Sequence, residues 1–359
     1  KSEIANLIYT SGTTGKPKGV TLTHKNIISN AESIMKRFTD FENKNLTTLN
    51  ILPWAHIYGM TSELYYNILN SNKIAISSGP EKFINEISEI QPDVLYVVPR
   101  ILNLVKSKVE FLDKPIINLI LPIILKKIFG KNLITIFVGG SALENNIREF
   151  YSKYNINVCQ GYGCTETSPM ISVNHIETPR NEKSIGKIMD GTIVKIINEE
   201  ILVHSDSVMK GYWNNDKATK EVFKIIDNKK FYKTGDSGFL ENDFLFYTGR
   251  ISDNYKLNNG KFVNLKDIEN IINKFINCNY IVFGENFSYN IIITEDENII
   301  SQNTIDKINL KLDSYLKIKY VMKIPNNTFE NFYTPKLSLK RKLLIKHIYK
   351  DIEEFYKIN

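Results

Sequence analysis

The stretch from Tyr9 to Val20 places the strongest constraint on the fold. It reads Tyr-Thr-Ser-Gly-Thr-Thr-Gly-Lys-Pro-Lys-Gly-Val, with apolar residues before it at Leu7–Tyr9 and after it at Val20–Thr23. This pattern predicts a strand, a tight loop and a second strand. Glycines let the backbone approach an anion closely, and successive N–H groups, hydroxyls and lysines can surround phosphate oxygens. The stretch therefore predicts a phosphate-binding loop, with a polar hairpin carrying solvated lysines as the alternative.

The spacing of the loop argues against the P-loop of kinases and related NTPases. That motif needs two glycines separated by four residues and followed by Lys and Ser/Thr. Here Gly12 and Gly15 are too close together, and Pro17 follows Lys16. A P-loop NTPase is therefore a poor explanation of the chain.

The stretch closely resembles the phosphate-binding loop of the adenylate-forming superfamily, which contains acyl-CoA synthetases, luciferases and peptide-synthetase adenylation domains. The resemblance implies an α/β fold with a large N-terminal domain of layered sheets and helices over residues 1–251. That domain apparently lacks its first part, and a smaller α+β lid domain follows over residues 252–359. The nucleotide-binding residues that it implies in the loop are Thr10, Ser11, Gly12, Thr13, Thr14, Gly15, Lys16 and Lys18.

Three further elements resemble members of that superfamily. The segment Ile51–Met60 has a Leu-Pro strand end before His56. The resemblance places His56 near the acyl carboxylate, and the alternative is a packing role at a helix start. The step Val98-Pro99-Arg100 and the hairpin Asn258–Lys261 resemble the long-chain acyl-CoA synthetase branch.

The segment Leu133–Leu143 predicts a buried strand that runs into a glycine turn, and a helix is predicted from Glu144 to Tyr151. Strand, glycine turn and helix form the α/β pattern that places ligands at strand ends. By resemblance, Gly140, Ser141 and Ala142 touch the adenine.

The segment Val158–Thr167 resembles the family's Gly-Tyr-Gly-x-Thr-Glu element. Gly161 and Gly163 would let Tyr162 lie against the purine, and Thr165 offers a hydroxyl near phosphate. Family members use the position of Glu166 for Mg²⁺. One carboxylate is chemically sufficient, since Mg²⁺ takes most of its ligands from phosphates and waters.

The segment Phe231–Gly238 carries Asp236 at a glycine turn. A carboxylate there can accept hydrogen bonds from ribose hydroxyls, although an isolated turn aspartate is more often structural. Arg250 is a second candidate for ribose and phosphate contact. By resemblance, Lys256 serves the thioester half-reaction, while Ser252 stands where the family usually has a charged hinge residue.

The family's C-terminal adenylation lysine corresponds to Ser338 in this chain. Lys336 lies two residues earlier, and period two in an extended segment puts it on the same face as Ser338. Lys336 is therefore the candidate replacement; three solvated basic residues at 336, 340 and 341 are the alternative.

Composition and net charge constrain the function less than these motifs do. The net charge of +7 fits anionic ligands or an anionic membrane surface. The stretch from Ile101 to Lys131 alternates apolar residues with lysines, which predicts either a basic amphipathic helix on an anionic membrane or a core helix with solvated lysines. No nucleic-acid signature is present. Three cysteines without metal spacing favour a reducing, intracellular location, cytoplasmic or peripheral on a membrane.

The residues and the resemblance together predict a long-chain fatty acid–CoA ligase that uses ATP, Mg²⁺ and CoA. Adenylation needs no general base, because the attacking carboxylate is already ionised at neutral pH. The predicted catalytic residues are Lys336, Lys256, Glu166, Thr165 and His56. The alternatives are a fatty acyl-AMP ligase that feeds a carrier protein and a non-catalytic binder of ATP or acyl-adenylate.

Overall fold

A computed structural model of the chain describes residues 3–10, 17–42, 44–113, 120–141, 143–175, 184–276, 278–296, 300–333 and 339–359. The predictions for 11–16, 142, 336 and 338 lie outside these residues. The chain divides into two compact units. The larger holds most of the chain up to Thr234, together with Phe239–Tyr247, and the smaller holds Gly235–Gly238 and Thr248–Asn359.

Strands and helices alternate over the first half of the chain. The strands are β1 (Ile4–Thr10), β2 (Lys18–Thr23), β3 (Thr47–Asn50), β4 (Lys73–Ile76), β5 (Val94–Val97), β6 (Thr135–Val138), β7 (Val158–Gly163), β8 (Met170–Val173), β9 (Lys187–Ile188), β10 (Ile193–Ile197), β11 (Glu200–His204), β12 (Gly211–Tyr212), β13 (Phe223–Ile226), β14 (Lys229–Glu241), β15 (Phe244–Arg250), β16 (Tyr255–Lys256), β17 (Phe262–Val263), β18 (Tyr280–Phe283), β19 (Asn290–Thr294) and β20 (Ile318–Lys323). The α-helices are α1 (His24–Arg37), α2 (Tyr66–Leu69), α3 (Phe83–Ile90), α4 (Pro99–Val109), α5 (Leu121–Phe129), α6 (Asn145–Lys153), α7 (Asp216–Glu221), α8 (Leu265–Ile272), α9 (Gln302–Asn309) and α10 (Arg341–Ile358). A π-helix, Tyr58–Tyr65, runs directly into α2.

The largest sheet in the described part of the chain has the strand order β10-β11-β14-β15-β9-β8-β7-β6-β5-β3-β4. Strands β4, β3, β5, β6 and β7 pair in parallel. The strands β5 and β6 are buried throughout, as expected for a parallel sheet covered on both faces. The predicted glycine turn follows the carboxyl end of β6, and the Gly-Tyr-Gly segment forms the carboxyl end of β7.

The two faces of this sheet bury separate apolar cores. On one face Leu95, Val97 and Ile136 pack with residues of α3, α4, α5 and α6. On the other face Tyr96 and Phe137 pack with residues that include three from α1 and the turn after it. Alternation along each strand sends neighbouring side chains to opposite faces, so the same four-residue strands supply both cores.

The two strands predicted on either side of the loop form and pair with each other. Strands β1 and β2 are antiparallel, with Thr10 opposite Lys18 and Tyr9 opposite Gly19. Strand β12 adds to β2 from far along the chain, with Tyr212 opposite Val20. The two predicted strands are therefore confirmed, and β12 is an addition that local sequence did not reveal.

Residues 25–38 carry apolar side chains at helical spacing, and helix α1 forms there, from His24 to Arg37. Thr23 and Asn26 form a reciprocal capping box at its start, which satisfies two backbone N–H groups. Beyond its apolar face, the helix buries two amides: Asn26 donates to the carbonyl of Val208 at 2.9 Å, and Asn30 donates to that of Met170 at 2.9 Å. These bonds hold the start of β8 and the approach to β12 against α1.

The basic stretch from Ile101 to Lys131 contains α4 and α5. In α5, Leu121, Leu125 and Phe129 are buried while Lys126 and Lys127 are exposed, so this helix is amphipathic as predicted. No helix among the described residues is both long enough and apolar enough to cross a membrane.

The smaller unit is α+β, as predicted. Strand β19 lies between β18, which is antiparallel to it, and β20, which is parallel to it. Its apolar cores draw on α8 and α9 in one cluster and on α10 in another. Strands β16 and β17 form the predicted hairpin, with Lys256 opposite Phe262. The observed α/β class with a smaller α+β unit confirms the predicted fold.

Candidate functional site

Glu166 lies in a short 3-10 turn, Thr165–Thr167, directly after β7. Its residue surface is 9% exposed, and its Oε1 accepts a hydrogen bond of 2.9 Å from the Tyr212 hydroxyl. The backbone is fixed as well, since the N–H of Met209 donates to the Glu166 carbonyl at 2.8 Å. A buried carboxylate needs such partners, so the position of Glu166 is set by the segment that contains β12.

Tyr212 also meets the predicted phosphate-binding hairpin. The Lys18 Nζ lies 5.0 Å from the centroid of the Tyr212 ring, a distance suited to a cation–π contact. Backbone bonds join the same two segments, because Trp213 N–H donates to the carbonyl of Gly19 at 2.7 Å. Lys18 and Glu166, which are far apart in sequence, therefore contact the same tyrosine side chain.

Close packing against the backbone requires glycine at position 163, whereas Gly161 is packed against the flexible Met170 side chain. A Cβ at Gly163 would lie 1.7 Å from the Pro169 carbonyl oxygen, and one at Gly161 would lie 2.8 Å from the Met170 sulfur. The Tyr162 ring is half-buried, with its centroid 6.1 Å from that of Tyr247. The predicted stacking of Tyr162 on a purine stays a prediction.

The glycine turn after β6 is held by Tyr58. The Tyr58 hydroxyl donates to the Phe137 carbonyl at 3.0 Å, and a Cβ at Gly139 would lie 3.1 Å from the Tyr58 ring. Gly140 has a φ of +83°, a conformation that glycine adopts without strain. Gly140 and Ser141 are exposed after this turn.

His56 is exposed and precedes the π-helix. Its N–H donates to the Pro53 carbonyl at 2.9 Å, and its own carbonyl accepts from Met60 N–H at 2.9 Å. The next residue, Ile57, belongs to the apolar cluster of β1, β2 and β12. The larger unit thus connects the His56 segment to the hairpin through Ile57 and to the glycine turn through Tyr58.

The smaller unit brings Asp236 and Arg250 together. The Arg250 Nε lies 2.9 Å from Asp236 Oδ1, and the side chains are 44% and 7% exposed, respectively. The backbone between them is tied by Ser237, whose hydroxyl donates to the Gly249 carbonyl at 3.1 Å. The ion pair orients a buried carboxylate beside Gly235, which has a φ of +71°.

Lys256 is exposed on the β16–β17 hairpin of the smaller unit. The hairpin turn closes with a bond of 2.9 Å from Gly260 N–H to the Leu257 carbonyl, and the carbonyl of Lys256 accepts from Asn286 N–H at 2.9 Å. The backbone at Lys256 is therefore fixed while the side chain reaches solvent.

A single-carboxylate metal site is chemically consistent with Glu166. Mg²⁺ is usually bound by one or two carboxylates plus substrate phosphates and waters. Within the described ranges, no group of three or more His, Cys, Asp or Glu residues is arranged to hold a metal. Glu166, with the Thr165 hydroxyl beside it, fits an ion that arrives with a phosphorylated substrate rather than one held by a protein cage.

Sequence reasoning missed Tyr58, Glu63 and Tyr212. Nothing in the spacing of the segment around Tyr212 reveals its contact with Glu166. Glu63 carried a usable signal. It is a lone carboxylate in the apolar run from Ile57 to Ile68, at helical spacing from the buried Met60.

The AMP-binding enzyme family matches residues 1–213 of the chain. A probable 4-coumarate–CoA ligase 1 of Dictyostelium discoideum is 30% identical over 264 residues, which cover 69% of this chain and 45% of that protein. A long-chain-fatty-acid–CoA ligase of Bacillus subtilis is 30% identical over 260 residues, or 68% of this chain and 43% of that protein. The chain thus spans less than half the length of these relatives.

Solved structures agree on the fold. The o-succinylbenzoate CoA synthetase of Bacillus subtilis, in complex with its acyl-adenylate intermediate, superimposes with a TM-score of 0.76 at 23% identity. The alignment covers 96% of this chain and 69% of that one. A chimera described as ATP-bound RpMatB-BxBclM gives a TM-score of 0.78 at 22% identity, covering 98% and 69%. The predicted superfamily resemblance is confirmed, and the chain belongs to the AMP-binding enzyme family.

Proposed function

We propose that the protein activates a carboxylic acid with ATP and passes the acyl group to CoA. In the first step the acid attacks the α-phosphate, which gives an acyl-adenylate and pyrophosphate. In the second step the CoA thiol attacks the acyl carbonyl and AMP leaves. The proposed acid is a long-chain fatty acid. This choice is supported by the long-chain-fatty-acid–CoA ligase among the relatives and by the Val98-Pro99-Arg100 step, while the 4-coumarate–CoA ligases among the relatives make 4-coumarate the competing acid.

The convergence of Lys18 and Glu166 on Tyr212 is the observation that carries the proposal. Joining an acid to ATP brings anions together, so the barrier is lowered by cations and aligned N–H donors. Lys18 brings a positive charge to the edge of the hairpin. Tyr212 holds Glu166 for Mg²⁺, which would neutralise phosphate charge when bound. No general base is needed, because the acid is already ionised.

The remaining roles are assigned to separate residues. Asp236, oriented by Arg250, would accept hydrogen bonds from the ribose hydroxyls. His56 would lie near the acyl carboxylate, and Lys256 would serve the thioester step. Lys336 would provide the adenylation cation in place of the lysine absent at Ser338.

The experiment is ATP–pyrophosphate exchange by the full-length protein, driven in turn by palmitate, 4-coumarate and o-succinylbenzoate, with thioester formation then measured on adding CoA. Palmitate should support both reactions. Glu166→Ala and Asp236→Ala should each reduce exchange by at least about 10²-fold, as expected for loss of one charge-stabilising contact. Asp206→Ala is the matched control, since the exposed Asp206 side chain forms an ion pair with Lys25 at the surface.

The possible outcomes separate the alternatives. Exchange without thioester would replace CoA by a carrier-protein acceptor. Exchange driven by 4-coumarate but not by palmitate would overturn the choice of acid. No exchange with any acid, while ATP still binds, would favour the non-catalytic binder. Full exchange by Lys336→Ala would exclude Lys336 as the adenylation cation.

A further inference from the structure

Glu63 is a completely buried carboxyl group in the larger unit. The residue is 0% exposed and lies within the π-helix. Its Oε2 accepts hydrogen bonds from Asn50 Nδ2 at 2.5 Å and from Trp54 Nε1 at 3.3 Å. Its Oε1 is buried and has no hydrogen-bond partner among the described residues. Burial of a polar group with half its capacity unused is costly, so an apolar side chain would be the expected occupant if packing were its only task.

The two donors to Glu63 both belong to the segment that leads to His56. The Asn50 amide also donates to the Leu52 carbonyl at 2.9 Å, which fixes the chain where it leaves β3. Two residues later the Trp54 indole reaches back to the same carboxyl oxygen. Glu63 therefore holds both ends of residues 50–54, immediately before His56.

Close packing limits the alternatives open to this segment. A Cβ at Gly59 would lie 3.0 Å from the Pro53 carbonyl oxygen, so the start of the π-helix rests directly on the segment. On the far side of His56, Tyr58 is held by the Phe137 carbonyl. His56 thus lies between two anchors, the Glu63 carboxyl on one side and the β6 turn on the other.

The π-helix itself is tied to Glu63. The Asn67 Nδ2 donates to the Glu63 carbonyl at 2.6 Å, which satisfies a backbone acceptor inside a helix type that is rare and is found frequently at functional sites. Backbone and side chain of Glu63 are therefore both fixed, which a precise positioning group requires.

We propose that Glu63 is a positioning residue, which acts through Asn50 and Trp54 to fix the segment that carries His56 and so the place where the carboxylate of the acid substrate binds. The role of His56 in this statement rests on the proposed function. The hydrogen bonds that Glu63 makes to the segment do not.

The first test uses Trp54 as a probe. The chain has two tryptophans, so Trp213→Phe leaves Trp54 as the only one. In that background, Glu63→Ala should increase acrylamide quenching of Trp54, and Glu63→Gln should restore the parental quenching because its amide oxygen can accept both bonds. Glu86→Ala is the control, since it removes a glutamate hydrogen-bonded to Ser77 outside the segment. Unchanged quenching in folded Glu63→Ala would overturn the proposal.

The second test separates substrate binding from turnover. Glu63→Ala should raise the KM for the acid by about 10-fold to 10²-fold, in the range that small misplacements cost, while the KM for ATP stays unchanged. Glu63→Gln should restore the KM for the acid. Equal rises in Glu63→Ala and Glu63→Gln would show that acceptance of the two hydrogen bonds is not the role.

A third variant covers the case in which Glu63→Ala does not fold. Trp54→Phe removes the indole N–H but keeps an aromatic ring, and it should raise the KM for the acid in the same direction; an unchanged KM would contradict the proposal. If the parent protein shows no exchange with any acid, the proposed function fails, and the quenching experiment alone decides whether Glu63 fixes the segment.

Discussion

Glu63→Gln should alter how stability depends on pH. Burial raises the pKa of the Glu63 carboxyl from 4.5 to about 8, although hydrogen bonds from Asn50 and Trp54 oppose the rise. The titratable side chains that interact with it are tyrosines, Tyr58 on its own helix and Tyr96 on β5, and burial raises the pKa of both. They stay neutral between pH 5 and 8, so Glu63 is the group in this cluster whose charge changes there.

The sign follows from proton counting. Between pH 4.5 and about 8 the folded protein holds a proton on Glu63 that the unfolded chain has released. Stability therefore falls as pH rises through this interval. The slope approaches about 1.4 kcal/mol per pH unit for one group, so the whole interval gives a ceiling of about 5 kcal/mol. The uncharged Gln variant escapes this loss and should gain on the parent as pH rises.

The assay is urea unfolding followed by Trp54 fluorescence in the Trp213→Phe background, at unit steps from pH 5 to pH 8. The free energy of unfolding of Glu63→Gln minus that of the parent should increase at every step. The control is Glu86→Gln. Hydrogen bonds from Ser77 and Ser78 lower the pKa of Glu86, so its carboxylate stabilises the fold fully at any pH above the pKa of glutamate in the unfolded chain. The difference in unfolding free energy between Glu86→Gln and the parent should therefore not change from pH 5 to 8. If the difference in unfolding free energy between Glu63→Gln and the parent did not change with pH, Glu63 would not be a buried carboxyl that stays neutral in the folded protein.

Two further substitutions test the site. Tyr212→Phe keeps the ring under Lys18 but removes the hydrogen bond to Glu166; urea unfolding should show a loss of about 1.5–3 kcal/mol, as for a bond to a charged group, together with a weaker response of pyrophosphate exchange to Mg²⁺. Unchanged values in both assays would show that Tyr212 does not hold Glu166. Gly163→Ala would put a Cβ 1.7 Å from the Pro169 carbonyl oxygen, so thermal unfolding should reveal a loss above about 4 kcal/mol. Gly191→Ala meets no atom within 4 Å and should cost only the backbone strain of about 1–2 kcal/mol; similar losses in the two alanine variants would contradict the clash.

The local elements of the fold could be predicted where the apolar pattern was clear. Helix α1 buries one face at helical spacing, and strands β5 and β6 are largely apolar runs that are buried throughout. Strand order could not be predicted in this way. The pairing of β12 with β2 joins residues about two hundred positions apart, and a two-residue strand has no period from which to recognise it.

In the candidate site, too, residues in local motifs could be predicted from the sequence and tertiary contacts could not. Glu166 and Asp236 could be singled out because each is a carboxylate at a glycine-rich turn in a recognisable segment. The sequence indicates only one of the two side chains that orient these carboxylates. Arg250 follows a Tyr-Thr-Gly step and was identified with Asp236, whereas Tyr212 reaches Glu166 only through the tertiary fold. Glu63 could have been noticed as a lone carboxylate among apolar residues, but its donors, Asn50 and Trp54, have no fixed spacing that would identify them as its partners.

The glycines show why a ligand-based interpretation of a loop is incomplete. Gly139 belongs to the turn that was interpreted through contact with adenine, yet its missing Cβ makes room for the Tyr58 ring. Gly19 belongs to the hairpin predicted to bind phosphate, yet a Cβ there would lie 3.3 Å from the Tyr9 ring and 3.4 Å from Trp213 Cβ. At both positions an aromatic residue packs on the glycine. An alanine at either position would therefore displace an aromatic side chain before it met any ligand, and loss of ligand binding by such variants would not by itself demonstrate a ligand contact.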